Sequence, residues 1–169
     1  MAWTFVRPAD TSLLAGRPLL DLGTGDGQTI VALTSDDGLR VGIDRSVRSL
    51  RAARRAGLVD VVAALADGLP FASSSFSTVV AGDVFHHADD QELVRILTEA
   101  ARVLAGGGRL VAWWYSAPGR GGAGDPRFPR AYVDVCELAV TSGFSVGRPL
   151  DLELSLDPAP ATVGIVAQR

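Results

Sequence analysis

Short apolar runs alternate along the chain with stretches whose apolar residues recur every three or four positions. The runs are 4 to 7 residues long and predict buried strands at 19–22, 39–43, 60–64, 78–81 and 109–115. The helical spacing predicts helices at about 28–35, 47–56, 90–105 and 128–142. Two further apolar runs, 146–154 and 161–166, are separated by so few residues that they must pair antiparallel.

This order of strands and helices defines the expected fold. A strand followed by a right-handed helical crossover returns the chain to the same edge of a parallel sheet, so the class is α/β, with helices on both faces. The 169 residues suit one domain, 1–169. Residues 1–17 have no clear period and are expected to form an irregular lead-in. The Gly/Pro-rich stretch 116–129 is expected to be a flexible rim of a site or disordered.

Composition excludes several classes of function. The formal net charge is −3 and the stretch richest in arginine has the spacing of a solvated helix face, so no nucleic-acid partner is expected. Cys136 has no second cysteine to pair with, so neither a disulfide nor a zinc site is supported. No run has the length of a membrane span or the layout of a signal peptide. We expect a cytoplasmic protein, and a basic complement made only of arginine indicates a G+C-rich, bacterial genome.

Chemistry is expected at the turn after the first predicted strand. Gly23, Gly25 and Gly27 let the backbone take positive φ and let a ligand approach bare main chain at the start of a helix. Their spacing differs from the dinucleotide fingerprint, and an acid, Asp21, precedes them. Asp44 ends the second strand 21 positions after Gly23, where an open α/β sheet places an acid against a ribose. The alternative for the glycines is a tight turn without a ligand, and the alternative for Asp44 is an acid that initiates the next helix.

Four stretches resemble the motifs of one enzyme family in the same order. D-L-G-T-G-D-G at 21–27 is similar to the first motif of the class I S-adenosylmethionine-dependent methyltransferases. A-D-G-L-P-F-A-S-S-S-F-S-T-V-V at 66–80, the pair His86-His87, and E-A-A-R-V-L-A-G-G-G-R-L-V at 99–111 resemble elements of its type 11, ubiquinone-biosynthesis-like branch. The likeness covers roughly 19–115, and Ser77 stands where the family commonly has aspartate.

The resemblance implies a seven-stranded, mostly parallel, doubly wound sheet of the Rossmann-like methyltransferase fold, with the last strand antiparallel beside the fifth. It implies S-adenosyl-L-methionine as cofactor and S-adenosyl-L-homocysteine as product. Asp21 would help hold the ammonium group, Asp44 the ribose and Asp67 the adenine amino group. The full set implied to bind the cofactor is Asp21, Gly23, Thr24, Gly25, Asp44, Arg45, Asp67, Gly68, Leu69 and Gly82. No metal is expected.

Methyl transfer needs a general base only if the acceptor must lose a proton. His86, His87 and Asp83 are candidates, because they follow the fourth strand at the edge where ligands bind. The alternative for the histidines is packing or helix capping, and two adjacent side chains are expected to diverge. Trp113, Trp114 and Tyr115 form an acceptor wall or fill the core, and Arg127 and Arg130 bind an acidic substrate or lie on the surface.

The sequence thus predicts methyl transfer to a small-molecule or partner-presented acceptor. Two alternatives stay open: a cofactor-binding domain with non-methyl chemistry such as cyclisation, and a non-catalytic regulatory or scaffold module. The lead-in 1–17 before the first predicted strand is short, whereas relatives commonly carry a longer lid there. The site is therefore expected to be open, closed by 116–129, or completed by a partner or a second copy in a homo-oligomer.

Overall fold

A computed structural model describes residues 6–34, 38–58, 60–115, 132–154 and 162–169. Residues 116–131, which include the predicted rim and both Arg127 and Arg130, lie outside the described residues. The strands are β1 (Val6–Pro8), β2 (Leu19–Leu22), β3 (Arg40–Asp44), β4 (Asp60–Ala63), β5 (Phe76–Gly82), β6 (Leu104–Tyr115), β7 (Ser145–Pro149), β8 (Leu152–Leu154) and β9 (Thr162–Gln168). The helices are α1 (Gln28–Leu33), α2 (Val47–Ala56), α3 (Asp90–Val103) and α4 (Tyr132–Thr141), with 3-10 turns at Thr11–Leu14 and Phe85–His87.

Seven of these strands form one sheet in the order β4-β3-β2-β5-β6-β9-β7. Neighbours are parallel except that β9 runs antiparallel to both β6 and β7. The predicted α/β fold is therefore confirmed, including the last strand antiparallel beside the fifth predicted one. The strand order reverses between β2 and β5, and ligands bind beyond the carboxyl ends of the strands at such a point.

Alternate residues of the central strands enter two separate cores. On β6, Leu110 and Ala112 belong to the core beneath α3 and α4, whereas Val111 and Trp113 belong to the core that includes α1 residues. Both faces are covered, as in a doubly wound sheet, and for that reason the central strands are apolar at successive positions. Trp113 and Trp114 are both fully buried, so they fill the two cores.

Capping residues set the ends of the two longer helices before β6. α2 has its predicted bounds, because the Ser46 side chain accepts a hydrogen bond from the Ser49 N–H and Gly57 ends the helix at φ 107°. Asp89 caps α3 by accepting from the Glu92 N–H. α3 ends at Val103, two residues before its predicted end at 105, because Leu104 already pairs with Phe76 of β5.

The two ends of the chain depart most from the prediction. Residues Val6–Pro8 and Leu152–Leu154 form a separate two-stranded antiparallel sheet, where an irregular lead-in was expected. The run predicted as one strand at 146–154 is divided between β7 and β8. The division falls at Leu150 and Asp151: the Leu150 N–H donates to the Gly164 carbonyl, and the Asp151 carbonyl accepts from the Ala9 N–H.

Candidate active site

A cleft of about 370 Å³ lies at the carboxyl edge of the sheet. Its volume is in the range of small-molecule sites. It is built by the residues that directly follow β2, β3, β4 and β5, together with α3. The lining residues are Gly23, Ile43, Asp44, Arg45, Ala64, Leu65, Ala66, Asp83, Val84, His87, Ala88, Glu92 and Ile96.

The glycine turn has the backbone geometry that the sequence predicted. Gly23, Gly25 and Gly27 have φ of 64°, 56° and 75°. A Cβ at Gly23 would lie 2.8 Å from Val84 Cγ2, and one at Gly27 would lie 2.9 Å from Ala53 Cβ. A Cβ at Gly25 would meet nothing nearer than a backbone oxygen at 4.0 Å. Gly23 and Gly27 are therefore required by the protein's own packing, whereas the space beside Gly25 is open.

Asp44 joins this turn to the start of α2. Its Oδ2 accepts from the Gly25 N–H at 3.0 Å and its Oδ1 from the Ser46 N–H at 2.7 Å. Each carboxylate oxygen has a second lone pair, so both still have the capacity to accept from a pair of hydroxyl groups. Arg45 is exposed at the same rim of the cleft.

Two buried polar groups of the β2 turn suit a ligand that carries a cation and hydrogen-bonding groups. Thr24 is 8% exposed, and its hydroxyl has no hydrogen-bond partner in the part of the chain that the structure describes. Asp21 is 7% exposed, and burial raises the pKa of Asp21 to about 7; the neighbouring Thr24 side chain opposes this shift and the Asp44 carboxylate adds to it. A carboxyl group in such surroundings is stabilised in its charged form by a nearby cation.

The two adjacent histidines have different surroundings. His87 lines the cleft and is exposed, whereas His86 does not line it and its Nδ1 is buried without a hydrogen-bond partner among the described residues. Burial, with a contribution from His87, lowers the pKa of His86 to about 4. Their ring centroids are only 4.0 Å apart, so the expectation that the side chains diverge is wrong. Both belong to one tight 3-10 turn, which brings the rings together.

Asp83 faces the same cleft from a strained backbone. It has φ 58°, a conformation that non-glycine residues adopt rarely and that concentrates at functional sites. Its N–H donates to the Trp113 carbonyl at 2.8 Å. Although the side chain reaches solvent, desolvation by the surrounding walls raises the pKa of Asp83, and the charge of His87 opposes this shift.

The residues implied to hold an adenine do not line this cleft in the structure. Asp67 forms an ion pair with Arg95, with 3.1 Å between Oδ2 and Nε. Leu69 is 6% exposed and belongs to the core, and open space surrounds Gly68. Gly82 also lies outside the lining, and a Cβ there would come within 2.5 Å of the Trp113 ring.

Several lining residues were not predicted. Ala64, Leu65 and Ala66 follow β4 directly, and the rule that ligands bind beyond carboxyl ends of strands would have found them. Glu92 and Ile96 are one turn apart on α3, and only the packing of that helix shows that they face the cleft. In the described ranges, no cluster of three metal-ligating side chains occurs and no helix combines the length and apolarity of a membrane span.

Comparisons with known proteins agree with this architecture. A family model described as "Methyltransferase domain", of type 11, matches residues 20–112. The chain is 39% identical to 27-O-demethylrifamycin SV methyltransferase of Amycolatopsis mediterranei, over 58% of this chain and 38% of that protein. It is 35% identical to demethylmenaquinone methyltransferase of Tropheryma whipplei, over 63% of this chain and 45% of that protein.

The solved structures show the same fold. An S-adenosylmethionine-dependent methyltransferase from Mesorhizobium loti superposes with a TM-score of 0.71 at 19% identity, over 89% of this chain and 90% of that chain. The match to curated relatives is shorter: it spans less than half the length of each of the two proteins named above.

Proposed function

Because this chain belongs to the type 11 family of class I S-adenosylmethionine-dependent methyltransferases, we propose that it transfers a methyl group from S-adenosyl-L-methionine to a small-molecule acceptor. S-adenosyl-L-homocysteine is then the product. The family match favours methyl transfer over the cyclisation and scaffold alternatives. Support from the structure comes chiefly from one arrangement: the open space at Gly25 lies directly beside the Asp44 carboxylate that accepts its N–H.

The residues of the glycine turn fit the donor. When bound, S-adenosylmethionine supplies an electrophilic methyl group on a sulfonium sulfur. Asp21 would hold the ammonium group, because a buried acid with a raised pKa is stabilised by a cation. Gly23 and Gly25 would let the amino-acid end approach bare main chain, and the Thr24 hydroxyl would hydrogen-bond to it. Asp44, with Arg45 beside it, would bind the ribose hydroxyls.

The purine would lie toward the segment after β4. Ala64, Leu65 and Ala66 offer apolar lining there, and Leu65 is 58% exposed. Asp67, Gly68 and Leu69 follow directly and are proposed as the adenine contacts, and Gly82 as a contact through the β5 end of the cleft.

A general base, if the acceptor is a hydroxyl group, is proposed to be His87. This histidine lines the cleft next to Asp83, whereas His86 is partly buried and its pKa of about 4 keeps it neutral. Asp83 would stabilise the imidazolium that forms when His87 takes the proton. The name of the Amycolatopsis relative specifies an O-methyl transfer. We therefore expect acceptors with a hydroxyl group.

Titration calorimetry with S-adenosylhomocysteine tests the donor site. The wild-type chain should bind it. Asp44→Ala should weaken the affinity at least about 100-fold, which corresponds to about 2.7 kcal/mol of binding free energy. Asp44→Asn keeps the size of the side chain and should show an intermediate loss. Asp60→Ala is the control, because Asp60 is exposed at the start of β4, the end of the strand away from the cleft. No binding by the wild type, or equal affinity in Asp44→Ala, contradicts the proposal.

A panel of phenolic acceptors with isotope-labelled donor tests the base. His87→Ala should remove the rise of the rate with pH near the pKa of histidine, whereas His86→Ala should keep that profile. The same profile in both variants would mean that positioning of the acceptor is sufficient.

Assembly and location belong to the same proposal. The exposed Leu65 at the mouth of the cleft supports completion of the site by 116–129, a partner or a second copy. Sedimentation velocity with and without S-adenosylhomocysteine distinguishes a homo-oligomer from a monomer. A cytoplasmic location is proposed from the sequence.

A further inference from the structure

One face of α3 holds the segment that connects β4 to β5. Arg95, Glu99 and Arg102 are spaced four and three residues apart, so they lie on the same side of the helix. The segment they face begins with the cleft-lining residues 64–66. Neither Glu99 nor Arg102 lines the cleft itself.

The Arg102 guanidinium makes four hydrogen bonds. Its Nε and Nη2 donate to the two Glu99 carboxylate oxygens at 2.7 and 2.8 Å. Its Nη1 donates to the Phe71 carbonyl at 2.7 Å, and Nη2 also donates to the Leu69 carbonyl at 3.0 Å. Glu99 Oε2 in turn accepts from the Leu69 N–H at 2.7 Å. Both backbone groups of Leu69 are therefore fixed by the pair.

A short series of backbone contacts links Leu69 to the cleft. The N–H of Gly68, the preceding residue, donates to the Leu65 carbonyl at 3.3 Å and closes a turn. At the other end of the lining, the Ala64 N–H donates to the Asp44 carbonyl at 3.2 Å. The lining residues 64–66 are thus held between the Asp44 backbone on one side and the Glu99–Arg102 pair on the other.

Only arginine can make this set of contacts. A planar guanidinium presents five donors in a fixed fork, whereas a lysine ammonium is a compact point charge that cannot span a carboxylate and two carbonyls at once. The hydrogen bonds from Arg102 lower the pKa of Glu99, so the pair stays ionised at neutral pH. The contact set is therefore sensitive to side-chain shape as well as to charge.

We propose that Glu99 and Arg102 are positioning residues for the purine side of the donor site: they set the Leu69–Phe71 backbone, which in turn places residues 64–66 against the ligand. This inference rests on the proposed function, because it assigns the pair a role in binding the methyl donor. It also gives the E-x-x-R motif at 99–102 a physical role that the sequence did not supply.

The test uses the full chain and S-adenosylhomocysteine as the probe. Arg102→Lys should raise the dissociation constant about tenfold in titration calorimetry. Exchange of the Leu69 amide, followed by NMR without ligand, should become faster. Glu99→Gln keeps an acceptor for the Leu69 N–H and should give a smaller loss of affinity. If Arg102 supplied only charge or volume, lysine would restore wild-type values for both quantities.

Two controls separate positioning from general destabilisation. Arg55→Lys makes the same chemical change on the exposed face of α2 and should alter neither quantity. Ile165→Val trims the core on β9 and should lower the melting temperature without changing the dissociation constant. Wild-type affinity in Arg102→Lys overturns the positioning role alone, whereas a wild-type chain that binds no S-adenosylhomocysteine overturns the proposed function with it.

Discussion

Two segments meet at the carboxyl edge of the sheet, and they satisfy their polar groups in opposite ways. The segment from Asp21 to Gly27 carries a buried acid with a raised pKa, an unpartnered hydroxyl on Thr24 and three residues at positive φ. The segment from Asp67 to Ser75 is held by an ion pair to Arg95 and by hydrogen bonds between its backbone and side chains of α3. The first contains groups that a ligand would complete, whereas the protein itself satisfies the main groups of the second.

The contrast separates two kinds of motif residue. Buried polar groups are normally satisfied within the protein, so an exception requires an explanation such as a ligand. The Thr24 hydroxyl is such an exception, and the buried Asp21 beside it has a raised pKa; both residues belong to the glycine motif. Glu99 and Arg102 belong to an equally recognisable motif, yet their contacts are all within the chain. Membership of a motif therefore does not by itself indicate contact with a ligand.

The largest effect is expected for Asp21→Asn. The folded-state pKa of Asp21, about 7, lies above its ordinary value of 3.8, so ionisation of this group opposes folding. Its contribution to stability is complete below pH 4 and is lost as the pH rises to about 7. At about 1.4 kcal/mol per pKa unit, this loss amounts to as much as about 4 kcal/mol at pH 8. The asparagine variant, which cannot ionise, should be the more stable protein there.

Urea unfolding at pH 4.5 and pH 8 measures this difference. The stability advantage of the variant should be small at pH 4.5 and largest at pH 8. Its affinity for S-adenosylhomocysteine should fall below that of the wild type at pH 8 and differ little from it at pH 4.5, where Asp21 is protonated. In the wild type, the affinity should decrease below pH 7, because protonated Asp21 cannot attract an ammonium group. A variant that is less stable than the wild type at pH 8 would show that the acid is satisfied within the protein.

The next effect concerns two glycines of the same turn. Gly27→Ala places a Cβ 2.9 Å from Ala53 Cβ at φ 75°. Strain of the left-handed backbone and overpacking together should cost roughly 2–4 kcal/mol of unfolding free energy. Gly25→Ala has φ 56° but open space, and should cost only about 1 kcal/mol, from the backbone alone.

Ligand affinity should rank the two variants in the opposite order. Gly25→Ala adds a methyl group in the space proposed for the donor, so it should bind S-adenosylhomocysteine worse than folded Gly27→Ala does. Calorimetry at a temperature where both variants are folded makes the comparison. Wild-type affinity in Gly25→Ala would place the ligand elsewhere.

The sequence predicted the sheet well because its central strands are buried on both faces. Each of β2 to β6 overlaps an apolar run, and such runs are visible without knowledge of the partners. β1 escaped prediction because Val6–Pro8 is only three residues long and pairs with a strand nearly 150 positions away. A local sequence pattern cannot predict pairing between strands so far apart in the chain.

The site was predictable where a local rule applied. Positive φ at Gly23 and Gly25 follows from the motif, and the position of Asp44 follows from the end of a strand. The difference between His86 and His87 was not predictable, because it depends on which ring faces the cleft and which is covered. The partner of Asp67 was also hidden, since Arg95 lies 28 positions further along and its contact depends on how α3 packs.

The smallest effect is expected for Arg95→Gln, which removes the exposed ion pair between Arg95 and Asp67. The Arg95 side chain is 53% exposed, and pairs of this kind contribute about 0–1 kcal/mol because water and salt screen them. The variant should therefore unfold within about 0.5 kcal/mol of the wild type. Its S-adenosylhomocysteine affinity should change less than twofold, in contrast to Arg102→Lys, whose position lies two turns further along α3. A loss as large as that of Arg102→Lys would mean that Arg95 must orient the Asp67 carboxylate before it can contact the adenine. Arg95 would then be a positioning residue together with Glu99 and Arg102.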